Sequence, residues 1–138
     1  MATTNIQSFS GDVDITSNVL MNGEVFIKKD GGTKNIGIGY LAGSNTQGAS
    51  AVAVGREAGQ TSQDRNATAV GYAAGQTSQG SSAVAVGDAA GQTSQGAYAI
   101  AVGNLAGRYN QGSNTVAVGV NAGSNNQSTN AVAVGNAA

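Results

Sequence analysis

The sequence predicts an all-β fold, a parallel β-roll or β-solenoid built from coils of 16 residues. Three observations predict it: glycine, alanine and glutamine recur at intervals of 16, a short Val-Ala-Val-type segment precedes one glycine of each unit, and aromatic residues make up only 4% of the chain. Self-similarity at a fixed interval is the signature of stacked repeat architectures. Valine and isoleucine favour strands. Each unit is therefore expected to form one coil of a stacked array.

The strictest marker of the repeat is a glycine that follows the short apolar segment. A second glycine comes four residues later and a glutamine four residues after that. The first glycine frees the backbone for a tight turn, and the glutamines are expected to stack into an amide ladder, as they do in stacked sheets. The turn glycines are Gly39, Gly55, Gly71, Gly87, Gly103, Gly119 and Gly135, and the ladder residues are Gln47, Gln63, Gln79, Gln95, Gln111 and Gln127.

Composition and charge narrow the classes of partner. The 138 residues carry a formal net charge of −1, only 9% are charged, and there is no His or Cys. Such a chain offers no electrostatic reason to expect nucleic acid or an anionic membrane as partner, and it excludes disulfides. No apolar run has the length of a membrane-spanning helix, and residues 1–5 lack the pattern of a secretory signal peptide. We expect no nucleic-acid partner and no membrane insertion.

The chain divides into an N-terminal segment, 1–34, and the array of repeats, 35–138. Residues 11–28 form three hexads in which Val13, Val19 and Val25 share one position. Apolar residues two apart in each hexad indicate short strands. These strands are expected to form either an introductory coil or a small β cap that protects the end of the array, with residues 1–10 as a lead or attachment segment.

The apolar segment of each repeat is expected to be a short strand with two apolar faces. In a strand the two β-branched residues point one way and the alanines the other, and a strand that is apolar on both faces is covered on both sides. A coil of 16 residues is too small to cover both faces of its own strand, so the pattern predicts a homo-oligomer. The residues expected in the core or at the subunit interface are Val52, Val54, Val70, Val84, Val86, Ile100, Val102, Val116, Val118, Val132 and Val134.

The return segment of each unit, such as Gln-Thr-Ser-Gln at 92–95, is polar and is expected on the solvent side. No enzymatic constellation is evident. Because Glu57, Asp64 and Asp88 occupy three different repeat positions, they are expected to be solvated turn residues. The sequence therefore predicts a protein that is not an enzyme, with no catalytic residues, no cofactor and no metal.

Two groups of surface residues have alternative interpretations. Tyrosines could contact glycans or protein receptors through their amphipathic rings, or pack at the rims of the turns. Threonines at equivalent positions could match a crystal lattice, as in ice-binding solenoids, although Asn or Tyr replaces them in other units. The tyrosines are Tyr40, Tyr72, Tyr98 and Tyr109, and the threonines are Thr61, Thr77 and Thr93.

The repeats resemble the YadA-like head repeats of trimeric autotransporter adhesins. The resemblance lies in Ala-Val-Ala-Val-Gly at 51–55, 83–87 and 131–135 and Ala-Ile-Ala-Val-Gly at 99–103, each followed by a Gly-x-x-Ala-type turn. It implies a left-handed parallel β-roll in which three chains pack intimately about a common axis. Family units are more often shorter, with Ser or Asn before the Val.

Similar glycine-rich repeats are found in fibre proteins of phages and large algal viruses. This resemblance implies a structural fibre or attachment protein on a virion or another extracellular surface, with a host surface protein or glycan as partner. The absence of a signal peptide, stalk and anchor from this sequence favours the viral alternative. The head fragment of a bacterial adhesin and an ice- or surface-binding solenoid remain alternatives.

Overall fold

A computed structural model describes residues 19–21, 24–28 and 34–138. These residues contain β-strands and turns but no helix. Every strand of the repeat array has three residues. The strands are β1 Val19–Met21, β2 Glu24–Lys28, β3 Ile36–Ile38, β4 Asn45–Gln47, β5 Val52–Val54, β6 Thr61–Gln63, β7 Thr68–Val70, β8 Thr77–Gln79, β9 Val84–Val86, β10 Thr93–Gln95, β11 Ile100–Val102, β12 Tyr109–Gln111, β13 Val116–Val118 and β14 Val132–Val134.

Two sheets run along the array. In the described residues, the nine-stranded sheet has the order β1-β2-β3-β5-β7-β9-β11-β13-β14, and the five-stranded sheet has the order β12-β10-β8-β6-β4. From β3 onward all pairs are parallel and join residues 16 apart, as in Val86 with Val102. Each strand therefore lies over its equivalent in the next coil, at the usual strand spacing of about 4.8 Å. The predicted β-solenoid of 16-residue coils is confirmed.

The coil closes because several residues adopt a left-handed backbone conformation. In the coil that begins at Gly71 these are Gly71, Ala73, Gly75, Ser78 and Ser82, with φ between 49° and 133°. Such angles are uncommon for residues with a Cβ atom. Hydrogen bonds between coils hold them in place: the Ala73 amide, for example, donates to a carbonyl of the preceding coil at 2.9 Å. Stacking thus stabilises a backbone that an isolated repeat would not favour.

The left-handed residue in the middle of each return strand changes which way the side chains point. In β8, Thr77 and Gln79 pair with β10 in register, and a regular strand would place both on one face. Ser78, with φ of 57°, breaks this alternation. Thr77 is exposed, whereas Gln79 is buried with 1% exposure. The expectation that the return segment lies wholly on the solvent side is therefore wrong for the glutamine.

The interior of the array is made of alanine methyl groups and glutamine side chains. The alanines in the middle of the Val-Ala-Val strands have no exposed surface, and the same holds for the alanine of most Gly-x-x-Ala turns. Thr115 occupies one of the interior alanine positions, and its hydroxyl group donates to the Gly112 carbonyl at 2.9 Å. The core is therefore thin, as the small side chains require. The buried alanines of this cluster are Ala42, Ala53, Ala58, Ala69, Ala74, Ala85, Ala90, Ala101, Ala106 and Ala117.

The N-terminal strands extend the nine-stranded sheet past the first coil. β1 pairs antiparallel with β2, and β2 pairs antiparallel with β3. Two of the three strands expected in 11–28 are thus present. The expected strand of the first hexad, 11–16, lies outside the described residues.

Candidate functional site

The largest apolar surface of the chain lies on the outside of the nine-stranded sheet. In each strand of the array the middle residue points into the coil, and the residues on either side point outward and are half-buried or exposed. Ile36, for example, is 46% exposed, and Val132 is 69% exposed. We call these two columns the valine face. Its residues are Ile36, Val52, Thr68, Val84, Ile100, Val116 and Val132 in one column and Ile38, Val54, Val70, Val86, Val102, Val118 and Val134 in the other.

The structure places every valine and isoleucine predicted for the core or interface on this face. The coil interior holds the alanines instead, so the chain leaves its bulkier β-branched side chains partly open to solvent. In-register pairing stacks them directly, for example Val70, Val86 and Val102. A contiguous exposed apolar surface of this kind is typical of an interaction site.

The glutamines of the return strands lie inside the coil and bond across it. The Nε2 of Gln63 donates to the carbonyl of Val52 at 2.8 Å and to Oε1 of Gln79 at 3.0 Å. Its own Oε1 accepts from Nε2 of Gln47 at 2.8 Å. The side chain therefore joins the two sheets of one coil and also joins neighbouring coils.

The amide ladder is interrupted in the middle of the array. Gln95 donates to the Val84 carbonyl at 2.8 Å, but its Oε1 is buried and has no hydrogen-bond partner. The Oε1 of Gln111 is unpaired in the same way, although its Nε2 donates to Oε1 of Gln127 at 3.1 Å. Sheet-to-sheet bonds continue through this region, whereas the glutamine-to-glutamine contact between neighbouring coils does not.

A second ladder, which the sequence analysis missed, lies at the surface. The Nε2 of Gln76 donates to Oε1 of Gln60 at 3.2 Å, and the Nε2 of Gln92 donates to Oε1 of Gln76 at 3.1 Å. Arg108 completes the column, since its Nε donates to Oε1 of Gln92 at 2.9 Å. The signal was present in the sequence as glutamine at 60, 76 and 92, directly after the second glycine of each unit.

The predicted turn glycines stack so closely that they leave no room for a side chain. Gly87 has a φ of +132°, and a Cβ atom there would lie 2.6 Å from the carbonyl oxygen of Gly103. The equivalent positions from Gly39 to Gly119 meet the next glycine in the same way. This corner of the coil is therefore a column of backbone-to-backbone contacts.

The surface residues singled out in the sequence fall at separate places. Thr61, Thr77 and Thr93 pair in register on the outside of the five-stranded sheet. Tyr40 and Tyr72 lie on either side of Arg56, with its guanidinium carbon 5.7 and 5.8 Å from the two ring centres. The other tyrosines occupy different columns: Tyr98 is 63% exposed, and the ring of Tyr109 lies 4.6 Å from the guanidinium carbon of Arg108.

The acidic residues do not converge. In the described residues, no three His, Cys, Asp or Glu side chains form a group that could hold a metal ion. The described part of the chain also contains no helical segment with the length and apolarity that a membrane crossing needs. An open groove of about 360 Å³ runs over three coils and is lined by hydroxyl groups of Thr46, Ser62 and Ser78 beside Asp64.

Asp64 is the one acid with a defined hydrogen-bond environment. Its Oδ2 accepts from the Ser81 hydroxyl at 2.6 Å and its Oδ1 from the Arg65 amide at 2.6 Å. These bonds, that of Ser81 first, stabilise the ionised carboxylate and hold the pKa of Asp64 below its ordinary value of 3.8. A depressed carboxyl pKa stabilises the fold above the unfolded pKa, and this contribution disappears as the pH falls through the folded pKa.

We expect Ser81→Ala to raise the pKa of Asp64 toward 3.8, because it removes the main stabilising bond. A carbon-detected NMR titration of the Asp64 carboxyl group between pH 2 and 6 measures this shift directly. Ser82→Ala, one residue away, is the control and should leave the titration unchanged. An unchanged midpoint in Ser81→Ala would show that the hydroxyl contact is absent in solution.

Comparison of the chain with protein-family models, with curated proteins and with solved structures found no significant match.

Proposed function

We propose that the chain is a non-enzymatic structural rod that assembles through its valine face into a homotrimeric fibre with an attachment role. The observation that carries the proposal is the inside-out distribution of apolar residues, with alanines in the coil and β-branched side chains outside it. Each buried valine stabilises by about 1.5–3 kcal/mol. Contact between valine faces would therefore give a long and regular interface with many such contributions.

The opposite side of the rod supports the same division of roles. The outward residues of the five-stranded sheet are polar, as in the threonine column and the exposed Ser62, Ser78 and Ser94. An interface on the valine face would leave this polar side in solvent. Three chains, rather than two or four, are proposed because the repeats resemble those of trimeric adhesin heads.

The molar mass in solution tests the assembly. We expect light scattering to give three times the 13.4 kDa mass of one chain. Val86→Lys should lower the mass, because the substitution introduces one charge per chain in the middle of the valine face, where burial of an unpaired ammonium group is costly. Thr77→Lys is the matched control, since it adds the same charge on the exposed polar side.

A monomeric wild-type protein with a fully formed solenoid would contradict the proposal. Equal masses for wild type and Val86→Lys would show that the chains associate through another surface. A dimeric mass would retain self-association but overturn the trimer.

The viral or phage fibre is the biological setting we propose, on a virion or another extracellular surface, with a host surface protein or glycan as partner. The head of a bacterial adhesin is the alternative, and it would use the same valine face. The sequences that adjoin these repeats in the full gene product distinguish the two. A particle-docking domain supports the fibre, and a stalk with a membrane anchor supports the adhesin.

A second candidate function, ice or crystal-surface binding, has one observation in its favour. Thr61, Thr77 and Thr93 form a column with direct in-register pairing. Asn45 and Tyr109 continue the column at its two ends and shorten the regular face. A measurement of thermal hysteresis tests this function, and the absence of crystal shaping would remove it.

A further inference from the structure

We propose that a corner of the rod, formed by Tyr40, Arg56 and Tyr72, binds the carboxylate or sulfate group of an acidic carbohydrate. We call these three residues the Tyr-Arg-Tyr column. The inference rests on the attachment role proposed above and gives that role a ligand chemistry. Four features of the column carry it: a fixed backbone, an oriented guanidinium group, exposed aromatic rings and the low charge of the chain.

The backbone fixes the spacing of the column. The three residues lie 16 apart and immediately follow the turn glycines, such as Gly55 with a φ of +124°. The amide of Glu57 donates to the Tyr40 carbonyl at 2.8 Å, and the amide of Ala73 donates to the Arg56 carbonyl at 2.9 Å. The three side chains therefore leave the rod from neighbouring coils at positions set by the fold.

One edge of the Arg56 guanidinium group is already held. Its Nε donates to Oε1 of Glu57 at 3.1 Å, and Oε2 of Glu57 accepts from Nε2 of Gln76 at 3.0 Å. In the part of the chain that the structure describes, the two terminal amino groups of Arg56 make no hydrogen bond, and its side chain is 61% exposed. A guanidinium fork presented in this way suits a planar or tetrahedral oxyanion.

The two tyrosine rings flank the guanidinium group and remain accessible. Tyr40 is 46% exposed and Tyr72 is 50% exposed, and both ring centres lie within the range of a cation–π contact with Arg56. Tyrosine combines an apolar ring face with a polar hydroxyl group. A pyranose ring offers the complementary surface, with C–H groups on its faces and hydroxyl groups at its edge, so an acidic sugar matches the rings and the cation together.

The low charge of the chain makes the proposed binding local. The formal net charge is −1, so general attraction of a polyanion is not expected. The other arginines differ from Arg56: Arg108 contacts one ring, that of Tyr109, and its Nε is bonded to Gln92. Arg65 is exposed beside Asp64, with no ring contact in the described residues.

The test is a calorimetric titration of the purified assembly with four probes at 100 mM NaCl. Tetragalacturonate presents carboxylates, a heparin-derived tetrasaccharide presents sulfates, maltotetraose is a neutral sugar, and sodium sulfate is a bare anion. We expect one or both acidic tetrasaccharides to bind and the neutral one not to bind. Arg56→Gln should weaken binding about tenfold or more, since it removes a charge-assisted contact. Tyr40→Leu with Tyr72→Leu should weaken it several-fold.

Arg65→Gln is the matched control, because it removes the same charge without the flanking rings, and it should change affinity less than about twofold, as expected for a screened distant charge. Equal losses in Arg56→Gln and Arg65→Gln would overturn the proposal. It would also be overturned by the absence of binding to both acidic tetrasaccharides, by equal binding of maltotetraose, or by sodium sulfate binding as tightly as the sugars. Unchanged affinity in the tyrosine variants would contradict the role of the rings.

Light scattering on the same samples separates this inference from the proposed assembly. Arg56→Gln should keep the wild-type mass, because its side chain is largely exposed. A monomeric wild type that still binds the acidic sugars would overturn the trimer and leave the Tyr-Arg-Tyr column intact. A trimer that binds neither acidic sugar would have the opposite meaning.

Discussion

Replacement of Gly87 by alanine is expected to destabilise the solenoid by about 3–5 kcal/mol, the sum of backbone strain and overpacking. Gly87 has a φ of +132°, beyond the left-handed region that other residues of the coil occupy. The new Cβ atom would lie 2.6 Å from the Gly103 carbonyl oxygen. Neither backbone can retreat easily, because each is bonded to the coils above and below, as in the Gly87 amide with the Val70 carbonyl at 2.8 Å.

Urea and thermal unfolding at a fixed protein concentration measure this cost. Gly135→Ala is the control, since Gly135 has a nearly identical φ of +130° but the nearest atom to its Cβ position is 3.8 Å away. It should show the strain without the clash, so its cost should be clearly smaller. A Gly87→Ala protein within about 1 kcal/mol of wild type would contradict the close stacking of the glycine column, since typical surface changes stay within that range.

Replacement of Gln63 by methionine is expected to destabilise the fold by about 2–4 kcal/mol, because a buried polar group that loses its partner costs about 1–3 kcal/mol. Methionine has a similar length but no amide. The change would remove the bond to the Val52 carbonyl across the coil and the contacts to Gln47 and Gln79 on either side. Those groups lie inside the rod, where water does not easily replace the lost bonds.

Gln95→Met is the matched comparison for this prediction. Gln95 occupies the same position in the coil, but its Oε1 has no partner, and its Nε2 donates only to the Val84 and Ala99 carbonyls. We therefore expect it to cost less than Gln63→Met in the same unfolding measurements. Equal or reversed costs would show that bonds between coils contribute little and that the sheet-to-sheet bond dominates.

The distribution of apolar residues links stability to assembly. The interior offers only methyl groups and amides, while the larger apolar side chains of the array lie on the valine face. If the faces associate, part of the measured stability belongs to the assembly and depends on protein concentration. The two stability predictions above are therefore to be compared at one concentration, alongside the mass of each variant.

Much of the architecture could be predicted from the sequence. The interval of 16 residues, held by Gly87 and its equivalents, established the size of the coil. The alternation in Val84-Ala85-Val86 established that valine and alanine point to opposite faces. Both follow from local chemistry: the backbone at a tight corner tolerates only glycine, and a strand alternates its side chains.

The orientation of the return strand and the composition of the corners depended on the tertiary structure. Gln79 points inward only because Ser78 adopts a left-handed conformation that stacking against the neighbouring coils stabilises, and no propensity of serine announces it. Likewise, Tyr40 and Arg56 are distant in sequence and of different types, so periodicity did not connect them. Sequence determines what repeats, because identical residues perform identical tasks. The stacking of coils decides which unlike residues become neighbours, because only the three-dimensional register brings them within reach.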